Sequence, residues 1–309
     1  MIRYIFSSTS PWRKILLLGL FALIGLLLGS IISLPFVDIG GTSSDWALRA
    51  MTFISSLFTF ILPAFLLAGW YSDRKWDYLG FRRTRWSNIG VALLVTIVAL
   101  PGLNLLMSIN DIPQLPQWML EAEESAERVM KLMVDNHSPL AILANIIVIS
   151  LMAGFGEEMF FRGLMQRHLT RITRNQVASI IITALIFSAI HFQFKGFLAR
   201  FALGAILGYL YAYSGSLWVA ITAHAFNNFL AITGMMLGLD ESPLDTVGTL
   251  QQLWPLGLAS IALTIFLLRR LLCNTQPTEI ALDAEESNQD EFTFATQTTT
   301  NSTAEAEKL

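Results

Sequence analysis

An all-α, polytopic membrane helix bundle of about eight transmembrane helices is predicted by three observations on this sequence. Only 14% of the 309 residues are charged against 54% hydrophobic, with a mean hydropathy of +0.56, whereas a soluble domain carries about 25% charge. Apolar runs of about 20 residues, the length that crosses ~30 Å of hydrocarbon at 1.5 Å per residue, recur along the chain. Basic clusters and acidic stretches alternate between them. A formal net charge of −3 argues against nucleic acid as a partner, and the single Cys273 rules out an internal disulfide or a CxxC metal or redox site. The lipid bilayer is the partner this composition requires.

The apolar runs lie near 15–36, 51–71, 88–108, 139–158, 177–194, 199–213, 216–237 and 253–268. The first, at about 22 residues, is longer than a signal-peptide core and reads as a retained span. Arg3, Arg13 and Lys14 set the N-terminus in the cytoplasm. The segments 72–87 (Arg74, Lys75, Arg82, Arg83, Arg85) and 162–174 (Arg162, Arg167, Arg171, Arg174) read as cytoplasmic loops, and Arg269 and Arg270 return the C-terminus to the same side. The expectation is a multi-pass protein of the plasma membrane with both termini cytoplasmic.

Between the third and fourth runs, Leu115, Trp118, Met119, Ala122, Ala126, Val129, Met130 and Met133 recur at helical spacing, with Glu121, Glu124 and Arg128 on other faces. This is an amphipathic helix at the membrane surface or capping the bundle. The stretch 274–309 is acidic, Thr-rich and poor in large apolar residues, the composition of a disordered tail. The chain therefore divides into helices one to three with the amphipathic helix (1–130), a second membrane-embedded block of helices (131–273) and an acidic cytoplasmic tail (274–309).

Ionisable groups at membrane depth are costly and mark function or pairing. In GFGEEMFFRG, residues 154–163, Glu158 and Arg162 are i and i+4 and can pair, while Glu157 is turned about 100° away and stays free. His191 ends FSAIH, with Phe187 one turn earlier on the same face; His224 and Asn228 in HAFNN again project together. His137 and His168 sit beside loops and carry no such signal. Taken singly, a Glu–Arg pair reads equally as a structural bridge and His or Asn as interhelical glue. Jointly they supply what peptide hydrolysis by water needs: a base, Glu157, helped by His191, and oxyanion donors, His224 and Asn228. Glu158 with Arg162 would hold Glu157 in position.

EEMFFR (157–162), FSAIH (187–191) and HAFNN (224–228) resemble, in order, the EExxxR, FxxxH and HxxxN motifs of CAAX prenyl protease type 2 and the wider CAAX protease and bacteriocin-processing (CPBP, or Abi) intramembrane peptidases. The likeness covers about 130–237. It implies a glutamate-dependent intramembrane endopeptidase in a bundle of about eight helices, with Glu157 and His191 activating water and His224 and Asn228 forming the oxyanion site. The implied partner is a membrane-associated protein or peptide substrate, prenylated and CAAX-like in the eukaryotic relatives, a feature nothing in this sequence shows. No cofactor is expected: two His and two Glu could hold zinc, but no HExxH is present. The alternative is a non-proteolytic membrane scaffold, such as a bacteriocin-resistance protein, on the same fold.

One expectation conflicts with the others. Counted along spans 139–158 and 177–194, Glu157 and His191 fall roughly 20 Å apart in depth. They share a water only if the fourth helix begins nearer 144 and runs on past Arg162, or if the fifth is tilted or begins late.

Overall fold

The computed structural model describes residues 9–37, 44–110, 115–238 and 250–272. Every regular element among them is helical: α1 (Pro11–Phe36, its last turn 3₁₀), α2 (Asp45–Tyr71), the short α3 (Lys75–Leu79), α4 (Trp86–Asn110), α5 (Gln117–Val134), α6 (Pro139–Thr173), α7 (Gln176–Ala189), α8 (Phe197–Ser214), α9 (Leu217–Met236) and α10 (Leu250–Leu272). All eight apolar runs are thus helices. Six of them, α1, α2, α4, α6, α8 and α9, are long and apolar enough to cross a membrane. The sequence-stretch 274–309, expected to be disordered, and Cys273 lie outside the described residues.

Local chemistry sets the helix ends. Ser44, Ser138 and Asn175 cap α2, α6 and α7 by accepting from the backbone N–H three residues on, at 3.2, 3.3 and 3.1 Å. Pro11 and Pro139 occupy first-turn positions where the missing N–H costs nothing. Inside α2, Pro63 follows a π-helical turn at Leu57–Ile61 that absorbs its lost hydrogen bond.

Small residues bring the helices together. Gly25 of α1 lies so close to that π turn that a Cβ would sit 1.8 Å from the Phe58 carbonyl oxygen. Gly25→Val is therefore expected to destabilise the bundle by more than about 4 kcal/mol, the class reserved for overpacked or broken cores. Gly19→Val, on the same helix with nothing within 4 Å, is the control. Thermal unfolding of both in detergent checks the contrast. At the α4–α10 crossing, Pro101 interrupts α4, and the Ser260 hydroxyl inserts into its ladder, donating to Val98 O at 2.5 Å and accepting from Gly102 N at 2.9 Å.

The amphipathic α5 buries Met133 and Val134 at its C-terminal end, where Arg49 of α2 donates to Met133 O, to Asp45 and to Asn145 of α6. Its other end meets the segment after α7: Trp118 packs edge-on against Phe194, and Glu123 accepts from Lys195 N at 3.3 Å. It caps the bundle, with Trp118 about half exposed and Val129 somewhat less so.

The depth conflict resolves in two ways. α6 does not end near 158 but runs on to Thr173, 35 residues in all from Pro139, and α7 stops at Ala189 instead of 194. The chain reverses at Arg174, in left-handed conformation (φ 53°). Glu157 then lies 16 residues before Thr173 and His191 15 after Gln176, equal climbs of about 24 and 22 Å. The segment 162–174, expected as a cytoplasmic loop, is accordingly helix: Arg162 and Arg167 are buried, and Arg162 is no topology signal. His168 is corrected as well. It is fully buried between Tyr71 and Tyr78, because the helix that carries it runs on into the core.

Candidate active site

α6 supplies the charged groups. Glu158, Arg162 and Gln166 form one i, i+4 stripe on it, and all three side chains are fully buried. Arg162 donates through Nη1 to Glu158 Oε1 at 2.7 Å and through Nη2 to the carbonyl of Gly204 at 2.9 Å; Gln166 donates to Gly208 O at 3.1 Å. Gly204 and Gly208 share the same i, i+4 spacing on α8. With no side chain there, the guanidinium and amide reach the backbone: a Cβ on Gly208 would lie 2.8 Å from Gln166 Oε1. This matched ladder escaped sequence reasoning, although its signals, a glutamine one turn past Arg162 and the small-xxx-small spacing in GAILG (204–208), were both present.

α9 approaches α6 at Gly154, where a Cβ would meet Ala225 N at 3.0 Å. Ser150 donates to Ala225 O at 2.5 Å at the same crossing. Close approach puts His224 against α6: its Nδ1 lies 2.8 Å from Glu158 Oε1 and its Nε2 3.9 Å from Glu157 Oε2. His191 arrives from the end of α7, with Nδ1 2.7 Å from Phe187 O and Nε2 3.9 Å from the same Glu157 Oε2. Phe187 is the hub. Its ring centroid lies 5.0 Å from that of His191 and 5.7 Å from that of His224, and the Arg162 guanidinium carbon sits 4.9 Å from it.

Hydrogen-bond roles follow from the partners. A carbonyl only accepts, so His191 carries its proton on Nδ1 and, as a neutral ring, turns a lone pair on Nε2 towards Glu157. His224 likewise gives its Nδ1–H to the carboxylate of Glu158. Glu157 Oε2 is buried without a hydrogen-bond partner among the described residues. Phe192, next to His191, holds φ at 52°, a left-handed conformation rare for a bulky residue and of the kind that clusters at functional sites. α7 is also too short, at 14 residues, to cross a bilayer. Irregular backbone following such a helix is tolerated in a membrane only where protein buries it or it lines a wet cavity.

The structure thus brings together Glu157, Glu158, Arg162, Phe187, His191 and His224. Glu158 and Arg162 do not grip Glu157, as the sequence suggested, but orient His224. Asn228 lies one turn beyond His224 and donates to Ile149 O at 3.1 Å, within the π-helical stretch Ile146–Met152 of α6; one of its two N–H groups is thereby engaged. Among the described residues no group of three or more His, Cys, Asp or Glu is placed to hold a metal ion.

A carboxylate and two imidazoles thus converge where a short helix ends within the helix bundle of a polytopic membrane protein. Residues 139–230, from the start of α6 into α9, match the family model described as type II CAAX prenyl endopeptidase Rce1-like, so the resemblance carried by the three motifs holds across that segment. The uncharacterized protein YpbD of Bacillus subtilis (strain 168) is 35% identical over 86 residues, covering 26% of this chain and 41% of that protein. The match therefore spans less than half of that relative's length. No solved structure matches the chain.

Proposed function

We propose that this protein is an intramembrane endopeptidase that hydrolyses a peptide bond of a membrane-associated protein or peptide with water activated by Glu157 and His191. The observation that carries the reading is the convergence of Glu157 Oε2 and the two imidazole Nε2 atoms at 3.9 Å, each ring fixed through its Nδ1. A direct hydrogen bond at that length is excluded; in the proposed arrangement one water oxygen, about 2.8 Å from each, bridges Glu157 and His191. The match to an endopeptidase family supports the same reaction class.

In this mechanism the water donates its protons towards Glu157 and the His191 lone pair and attacks the scissile carbonyl. Glu157 takes one proton as the C–O bond forms. The oxyanion is met by Nε2–H of His224 in its imidazolium form and by the second N–H of Asn228. Collapse of the tetrahedral intermediate breaks the C–N bond, and Glu157 returns the proton to the leaving amine. Glu158 and Arg162 hold the His224 ring throughout. No step passes through a metal, so activity is expected to survive exhaustive chelation; stoichiometric zinc in active preparations would refute this.

The test compares newly formed peptide ends in membranes of cells carrying wild type or Glu157→Gln at equal abundance. Ends that depend on Glu157 establish the protease and identify its substrate. Identical ends, with the variant still rescuing a deletion phenotype, would reassign the polar cluster to a scaffold or resistance function.

A further inference from the structure

Arg200 has no part in the mechanism above, yet it stands at the same site. It lies in the first turn of α8, and its guanidinium forks onto Gln193, donating through Nη1 to the backbone carbonyl at 3.0 Å and through Nη2 to Oε1 at 2.6 Å. Gln193 is two residues past His191. Gly196 makes room for the fork, since a Cβ there would lie 2.9 Å from Nη2. The charges of Glu157 and Glu123 both act on this cation, and it in turn acts on His191. Neither carboxylate pairs with it: the ionic neighbours of Glu157 are the two imidazoles, and Glu123 accepts from Lys195 N. Among the described residues Arg200 has no ion pair, and its side chain is only partly covered. Two of its five N–H donors are used.

A pinned guanidinium with open donors, on a residue that is only partly buried, suits a planar anion, which it grips bidentately. The surroundings sharpen the point. Glu123 and Glu157 would repel an anionic peptide, so a cation pinned to Gln193, two residues past His191, decides whether such a peptide is refused or selected.

We propose that Arg200 is a specificity-determining residue that binds a carboxylate of the substrate. This rests on the endopeptidase reading. The carboxylate is either the α-carboxylate of a chain terminus or an Asp or Glu side chain, and the experiment separates the two.

Purified wild type, Arg200→Gln and Arg200→Lys are given a synthetic peptide mixture made in four forms: free-acid or amidated C-termini, each with Asp and Glu retained or replaced by Asn and Gln. Products are read by mass spectrometry with Glu157→Gln as the blank. Wild type is expected to favour the carboxylate-bearing form at least tenfold in kcat/KM, mostly through KM. Arg200→Gln should bring that ratio close to one, and Arg200→Lys, which keeps the charge but not the fork, should fall between. A preference for free acid over amide identifies the chain terminus; a preference for Asp and Glu over their amides identifies a side chain. Absence of any preference in wild type overturns the proposal, as does an Arg200→Gln loss equal for all four forms, which would mean that Arg200 merely clamps the His191 segment. No Glu157-dependent cleavage in any form would sink the endopeptidase reading and this proposal with it, an outcome distinct from intact cleavage without discrimination.

Discussion

Arg162→Met is expected to cost most of the folded protein. The guanidinium is fully buried and bonded to Glu158 Oε1 and Gly204 O. Removing one member of a buried ion pair strands the other and costs about 3–5 kcal/mol, a large part of the 5–15 kcal/mol typical of a whole domain. The stranded group is Glu158, with His224 as its remaining partner. Removing both charges, in Glu158→Gln combined with Arg162→Met, should recover most of that stability, since a buried pair exchanged for neutral groups of similar volume is close to neutral. Activity should not return, because His224 Nδ1 would no longer face a carboxylate. Thermal unfolding in detergent, set beside cleavage, checks both halves; equal instability of single and double variants would show that the stripe matters through shape and not charge.

Glu157→Gln should do the reverse. Its Oε2 is buried with no hydrogen-bond partner among the described residues, so the amide removes the cost of burying that charge and the unfolding temperature should hold or rise. Turnover should fall by about 10²–10⁴-fold, the range for losing a general base. This is the stability–function conflict expected where a charge is kept for chemistry. A variant that retains turnover, or loses it only by unfolding, would remove Glu157 from the mechanism.

Much of this was legible in the sequence, for definable reasons. Hydropathy located all eight apolar helices, because lipid leaves few other ways to satisfy a backbone. The i, i+4 rule anticipated the Glu158–Arg162 pair and the free Glu157. Helix ends were not legible: Arg162, Arg167 and Arg171 resemble a cytoplasmic loop by composition, and only the packing of α6 into the core shows them as helix. The target of Glu158 was hidden for a related reason, since it lies on another helix, 66 residues away. Arg200 gave no signal beyond being a charge at the start of an apolar run. Its relevance comes from the fork onto Gln193, which spacing alone does not announce.

The reversal at Arg174 makes the site a length gauge. Two antiparallel arms of nearly equal residue count bring Glu157 and His191 to one level, and no chemistry at either residue restores that level if one arm changes. Deleting a single residue from α7 would lower His191 by about 1.5 Å and swing it about 100° around its helix, away from both Glu157 and Phe187. Substitutions along these arms that keep the packing are tolerable by comparison. Outside the Glu158–Arg162–Gln166 stripe and Phe187, descendants of this chain are therefore freer to change the letters between Glu157 and His191 than their number.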